Sequence, residues 1–236
     1  MREETWGGLK VRVLGGEDRH GSGSGPVVTL LHGFGAPGTD LIGLLRVMDV
    51  PREWRWVFPE APVELGRMYG AGRAWWNLDV VALEKAISSG KGRDLRDERP
   101  EGMEGAASKV IAMLEQGRAA LGGEWVLGGF SQGAMLSCDV ALRSDTDLKG
   151  LVLMSAGYVD AERWKGLMPS RAGMPFFQSH GESDALLGYD AAVALRDDLS
   201  AAGWKPSWVS FRGGHEIPMN VLEGVGTFLR GVLERN

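Results

Sequence analysis

Apolar residues recur in short runs separated by glycine, proline and charged stretches. Runs at Val11–Leu14, Val27–Leu31, Trp54–Phe58, Trp125–Gly128, Leu151–Met154, Phe176–Gln178 and Trp208–Phe211 have the length of strands and are rich in β-branched and aromatic residues. Between them the spacing shifts to a helical period, and helices are predicted to begin near Asp40, Gly102, Gln132, Asp190 and Glu216. The last helix carries Ile217, Val221, Leu222, Val225, Phe228, Leu229 and Val232 on one stripe. The helix after Ser131 is apolar nearly all round and is expected to be buried. Strands alternating with helices predict an α/β protein with a mostly parallel sheet flanked by helices. Gly15–Gly25, which contains His20, reads as a solvated turn. The charge-dense stretch Gly90–Gly102 is taken as a solvated surface loop in preference to a lid.

Within that pattern one turn stands out. Gly129-Phe-Ser-Gln-Gly133 places Ser131 between an apolar strand and an apolar helix, the setting that lifts a nucleophilic serine above a sheet edge. A serine hydroxyl needs a base, an acid to orient that base, and donors for the oxyanion. The chain has 4 histidines. Of these, only His215 follows both Ser131 and a plausible acid, directly after a predicted strand. Glu182 and Asp184 both lie at the end of the strand Phe176–Gln178, and their spacing leaves either open as the acid. Asp190 is better placed as the cap of the next helix. His180 is read as an anchor for its loop. The oxyanion donors are expected to be the backbone N–H groups of Gln132, after the nucleophile, and Phe34, in the Leu31-His-Gly-Phe-Gly35 loop. His32 then shapes that loop. Gly33-Phe-Gly-Ala-Pro-Gly38 also spells a dinucleotide-binding pattern, but Pro37 removes an N–H that phosphates would use.

Composition narrows the function classes. The net charge of −5 and the absence of a basic stripe argue against a nucleic-acid partner. No apolar run is long enough to span a bilayer, and Met1–Lys10 lacks the apolar stretch of a signal peptide. The single cysteine, Cys138, falls in the apolar helix and is expected to be a small buried residue. A cytoplasmic protein acting on a small molecule fits, as a monomer or homodimer, with no stable membrane insertion. No cofactor and no metal are expected, since the histidines are scattered and no metal-ligand spacing occurs. The length suits a single domain over 1–236, with 63–105 as a pocket-lining or cap insertion within it.

Leu31-His-Gly-Phe-Gly35, Trp75-Trp-Asn-Leu78, Gly129-Phe-Ser-Gln-Gly-Ala134, Ser155-Ala-Gly157, His180-Gly-Glu-Ser-Asp184 and Gly214-His215 together resemble the phospholipase/carboxylesterase branch of the α/β-hydrolases, which includes acyl-protein thioesterases. The resemblance runs from about Val27 to the C-terminal helix. It implies the α/β-hydrolase fold, Ser131 as nucleophile, Asp184 as acid, His215 as base and Phe34 and Gln132 as oxyanion donors. It also implies an acyl pocket near Trp75, Trp76 and Met68. The chain departs from thioesterase-like members at Ala36, where an acidic residue is usual, and at Glu182, which replaces an aspartate. The expected activity is hydrolysis of short- to medium-chain carboxylic esters through an acyl-enzyme. The alternatives are an acyl-protein thioesterase or lysophospholipase on long chains and, more remotely, a non-catalytic binding protein of the same fold.

Overall fold

The computed structural model describes residues 1–79, 81, 88 and 92–234. Its centre is an eight-stranded sheet. The strands are β1 (Arg2–Trp6), β2 (Leu9–Gly15), β3 (Val27–Leu31), β4 (Arg55–Pro59), β7 (Trp125–Phe130), β8 (Gly150–Met154), β9 (Pro175–Gly181) and β10 (Lys205–Phe211). A separate hairpin joins β5 (Val63–Glu64) to β6 (Arg73–Ala74). The main sheet runs β1-β2-β4-β3-β7-β8-β9-β10. β1 and β2 pair antiparallel, as do β2 and β4; from β4 to β10 every pairing is parallel. β3 and β8 are buried at every position, the mark of strands covered on both faces.

Alternate side chains along these strands feed two apolar layers. Val27, Leu31, Leu127, Leu151, Leu153 and Phe176 join one layer, and Val28, Leu30, Val126, Val152, Met154 and Phe177 join the other. Helices α1 (Met103–Leu121), α2 (Gln132–Arg143), α3 (Ala161–Leu167) and α4 (Tyr189–Ala201) cover the first; α5 (Met219–Leu233) covers the second. As its composition predicts, α2 is buried from Gln132 through Leu142, Cys138 included. Its one carboxylate, Asp139, accepts from Trp164 Nε1 at 3.1 Å and from Arg163 Nη1 at 3.3 Å, and Arg143 Nε lies 3.0 Å from its second oxygen. This pairing ties α3 to the nucleophile-bearing helix, since a carboxylate buried there without partners is strongly disfavoured.

Several elements differ from expectation. The segment at Asp40–Arg46 is a short 3₁₀ helix. α4 begins at Tyr189 with no side-chain cap, so Asp190 lies inside its first turn and does not cap it. β1 is an additional edge strand whose charged residues hide it: Glu3 lies opposite Arg12 and pairs with both Arg12 and Lys10. The stretch 92–100 is more than a solvated loop: Leu95 is buried, and the backbone is bonded to residues on two other loops. Residues 90 and 91 of that expected loop lie outside the described residues.

Candidate active site

Ser131 sits where β7 turns into α2, with φ 55° and ψ −119°. A non-glycine residue in that region costs about 1–3 kcal/mol and persists only where its surroundings enforce it. The surroundings here are tight. A Cβ at Gly129 would lie 2.6 Å from Gly133 C and Leu31 O, and one at Gly133 would overlap the Leu31 carbonyl. Ser131 N donates to Met154 O at 2.9 Å, and Ser131 O accepts from Met135 N at 3.0 Å. The serine is therefore held between β3 and β8, at the C-terminal edge of the parallel strands.

The acid–base side is built from side-chain hydrogen bonds. His215 Nδ1 donates to Asp184 Oδ2 at 2.7 Å. Because a carboxylate only accepts, Nδ1 carries a proton, and in the neutral ring the lone pair is then on Nε2. Asp184 Oδ1 accepts from Leu186 N at 2.8 Å and Leu187 N at 3.0 Å. His180 Nε2 donates to Leu187 O at 2.9 Å and lies 3.3 Å from Asp184 Oδ2. Burial pushes the Asp184 pKa up, but the hydrogen bonds from His180 and His215, then that from Leu187 N, outweigh it and hold the carboxyl below its ordinary range. Glu182, the other candidate acid, is exposed. Phe130 packs its ring 4.8 Å from that of His215.

The loop after β3 forms the third side. Ala61 N donates to His32 Nε2 at 3.2 Å, so Nδ1 carries the proton and donates to Gly33 O at 2.8 Å. Burial lowers the His32 pKa and keeps this ring neutral. Trp75 Nε1 donates to His32 O at 2.9 Å, and Gly35 and Arg73 exchange backbone bonds with each other's segment. Gln132 clamps the same region from α2: its Oε1 accepts from Trp75 N and its Nε2 donates to Trp76 O, both at 2.9 Å. Among the described residues, the backbone N–H groups of Phe34 and Gln132 have no acceptor.

These three sides enclose a cavity of about 140 Å³ to which Ser131, His215, Phe34 and Gln132 all contribute. Leu78, Leu95, Met135 and Leu187 make its apolar wall, and Arg93 reaches its rim. Trp75 and Trp76, expected beside the acyl pocket, are buried and line an adjoining cavity that shares Leu78, Arg93, Leu95 and Met135 with the first. Met68 falls in the turn Arg67–Tyr69, and its side chain lies outside the described part. The sequence did not disclose the Gln132 clamp, the second histidine on Asp184, or the approach of residues 93–95. Gln132 alone left a trace, as a polar side chain opening an apolar helix.

A model of the phospholipase/carboxylesterase family matches residues 19–233. The chain belongs to the phospholipase/carboxylesterase family. It is a hydrolase of the carboxylesterase and acyl-protein thioesterase group with an α/β-hydrolase fold. It is 28% identical to acyl-protein thioesterase 1 of Eremothecium gossypii over 87% of each chain. It is 24% identical to acyl-protein thioesterase 1 of Gibberella zeae, over 86% of this chain and 88% of that one. Among solved structures, esterase PE8 superimposes with a TM-score of 0.79 at 28% identity, covering 95% of this chain and 99% of that chain. Among the described residues no group of three or more His, Cys, Asp or Glu is placed to hold a metal ion, and no helix is long and apolar enough to cross a membrane.

Proposed function

We propose that this family member is a serine carboxylesterase for short- to medium-chain carboxylic esters. The observation that carries the reading is the 2.7 Å His215–Asp184 bond on one rim of a cavity whose other rim holds the strained Ser131 turn. In this reading Ser131 Oγ attacks the ester carbonyl while His215 Nε2 takes the hydroxyl proton. The N–H groups of Phe34 and Gln132 receive the developing oxyanion; their lack of other acceptors supports that role. His215 then gives its proton to the leaving alcohol. A water, deprotonated by the same nitrogen, cleaves the acyl-enzyme and restores Ser131. Asp184 holds the ring in the required tautomer and stabilises the imidazolium.

At Ser131 itself the apolar wall and a volume of about 140 Å³ favour modest acyl groups, whereas the adjoining cavity of about 800 Å³ offers room for a longer chain. A second reading, a thioesterase on long acyl chains, is favoured by the names of the two fungal relatives. A chain-length series of p-nitrophenyl esters and matched thioesters, with Ser131→Ala as control, separates the two. A maximum at short chains supports the first reading, and a maximum at long-chain thioesters supports the second. Failure of a fluorophosphonate probe to label Ser131 in folded protein would leave only a non-catalytic role. The reading takes the protein to be a single domain, a monomer or homodimer, acting in the cytoplasm. A buried, unpaired Cys138 suits a reducing compartment.

A further inference from the structure

The cavity around Ser131 holds one feature that simple alkyl esters do not use. Among the described residues that line it, Arg93 is the one with a permanent charge. Its side chain is 14% exposed, and its Nη2 donates to Glu98 Oε2 at 2.8 Å. Glu98 is 48% exposed, and an ion pair with so solvated a carboxylate is worth little, so a second carboxylate can compete for the fork. The main chain of the arginine is firmly placed. Arg93 N donates to Leu186 O at 2.9 Å and Arg93 O accepts from Gly188 N at 3.3 Å, which stitches it to the loop that bears Asp184. A guanidinium fork that carries one carboxylate contact beside an apolar wall suits a second carboxylate held bidentately. Without such a partner, an apolar cavity would reject an anion because of its desolvation cost.

We propose that Arg93 selects esters that carry a carboxylate on the acyl side, so that the preferred substrates are monoesters of dicarboxylic acids. The guanidinium exchanges Glu98 for the substrate carboxylate while Ser131 attacks the neutral ester carbonyl of the same molecule. This rests on the esterase reading of the cavity and adds the substrate class to it.

The test compares kcat/KM for the monoethyl esters of succinic, glutaric and adipic acid with that for ethyl butanoate, pentanoate and hexanoate, followed by proton release. In the wild type at least one monoester is expected to match or exceed its neutral counterpart, with the advantage shrinking at high salt. Arg93→Met should lower that ratio by about ten-fold or more, the scale of one hydrogen bond to a charged group. Arg93→Lys should retain part of it, and Glu98→Gln should raise it by freeing the fork. An unchanged ratio in Arg93→Met, or a wild type that prefers every neutral ester, overturns the proposal and leaves Arg93 as a staple for its segment. If the wild type cleaves neither kind of ester, the esterase reading is what fails. Calorimetry of monoethyl adipate binding to Ser131→Ala, with and without Arg93→Met, then decides the anion contact by itself: binding lost with Arg93 supports it, and binding indifferent to Arg93 overturns it.

Discussion

The two rims of the cavity are built by different means. On the nucleophile rim, Ser131 is held by backbone packing: Gly129 and Gly133 lie against Leu31, and the strained turn is pinned to Met154 and Met135. On the acid–base rim, Asp184 and His215 are held by hydrogen bonds between side chains and loop backbone, with His180, Leu186 and Leu187 as further partners. Steric packing admits almost one residue type per position. Hydrogen bonding admits several, so the second rim tolerates substitution in its surroundings and depends on which carboxylate the loop aims inward.

The sharpest way to break the comparison is Ser131→Ala. Ester hydrolysis should fall by about 10³-fold or more, roughly 4 kcal/mol of transition-state stabilisation, with little change in Tm. Retention of a tenth of the rate would remove the serine from the chemistry. On the opposite rim, Asp184→Asn should lower kcat/KM by about 10²–10⁴-fold, because the amide can leave His215 in the wrong tautomer. Glu182→Gln, exposed and apart from His215, should change it by less than about three-fold. The reverse ranking in a side-by-side assay would move the acid role to Glu182.

A fourth substitution probes packing without touching chemistry. Gly133→Ala drives a methyl group into the Leu31 carbonyl and should cost about 3 kcal/mol or more by denaturant unfolding. A variant of wild-type stability would mean that the turn can relax, against the steric account of this rim. The smallest effect concerns His32. Burial lowers its pKa in the folded protein, so the unfolded chain binds the proton more readily. Its contribution to stability is complete above the ordinary value of about 6.5 and is lost as pH falls toward the folded value. Asp184, also depressed, contributes in full above the ordinary carboxyl value of about 3.9 and loses its share only below it, outside this window. His32→Gln, which keeps a donor and an acceptor but does not titrate, should therefore lose less Tm than the wild type between pH 7 and pH 5. An equal loss in both proteins would assign the acid sensitivity elsewhere.

Legibility followed the same division. The central strands β3, β4 and β8 were readable because burial at every position forces unbroken apolar runs, and the Ser131 turn because its geometry demands glycines at fixed spacing. β1 was not readable: an edge strand satisfied by cross-strand ion pairs has no apolar signature. α3 was missed for a related reason. It is short and charged, and what fixes it is Asp139, distant in sequence, reaching Trp164 and Arg163. Spacing left Glu182 and Asp184 undivided because both sit on one strand end; only the fold turns Asp184 inward. The segment containing Arg93 and Leu95 looked like a surface loop because its charges outnumber the one leucine that enters the cavity.

The sealed position of Cys138 gives this chain a built-in clock. Burial raises its thiol pKa well above the ordinary value, and the residue lies on the helix that begins at the nucleophile. A thiolate-directed reagent can reach it only when that helix opens, so the alkylation rate under native conditions measures the frequency of that opening. Compared with the decay of activity on warming, that rate separates loss of the nucleophile's own scaffold from failure of the loops around it.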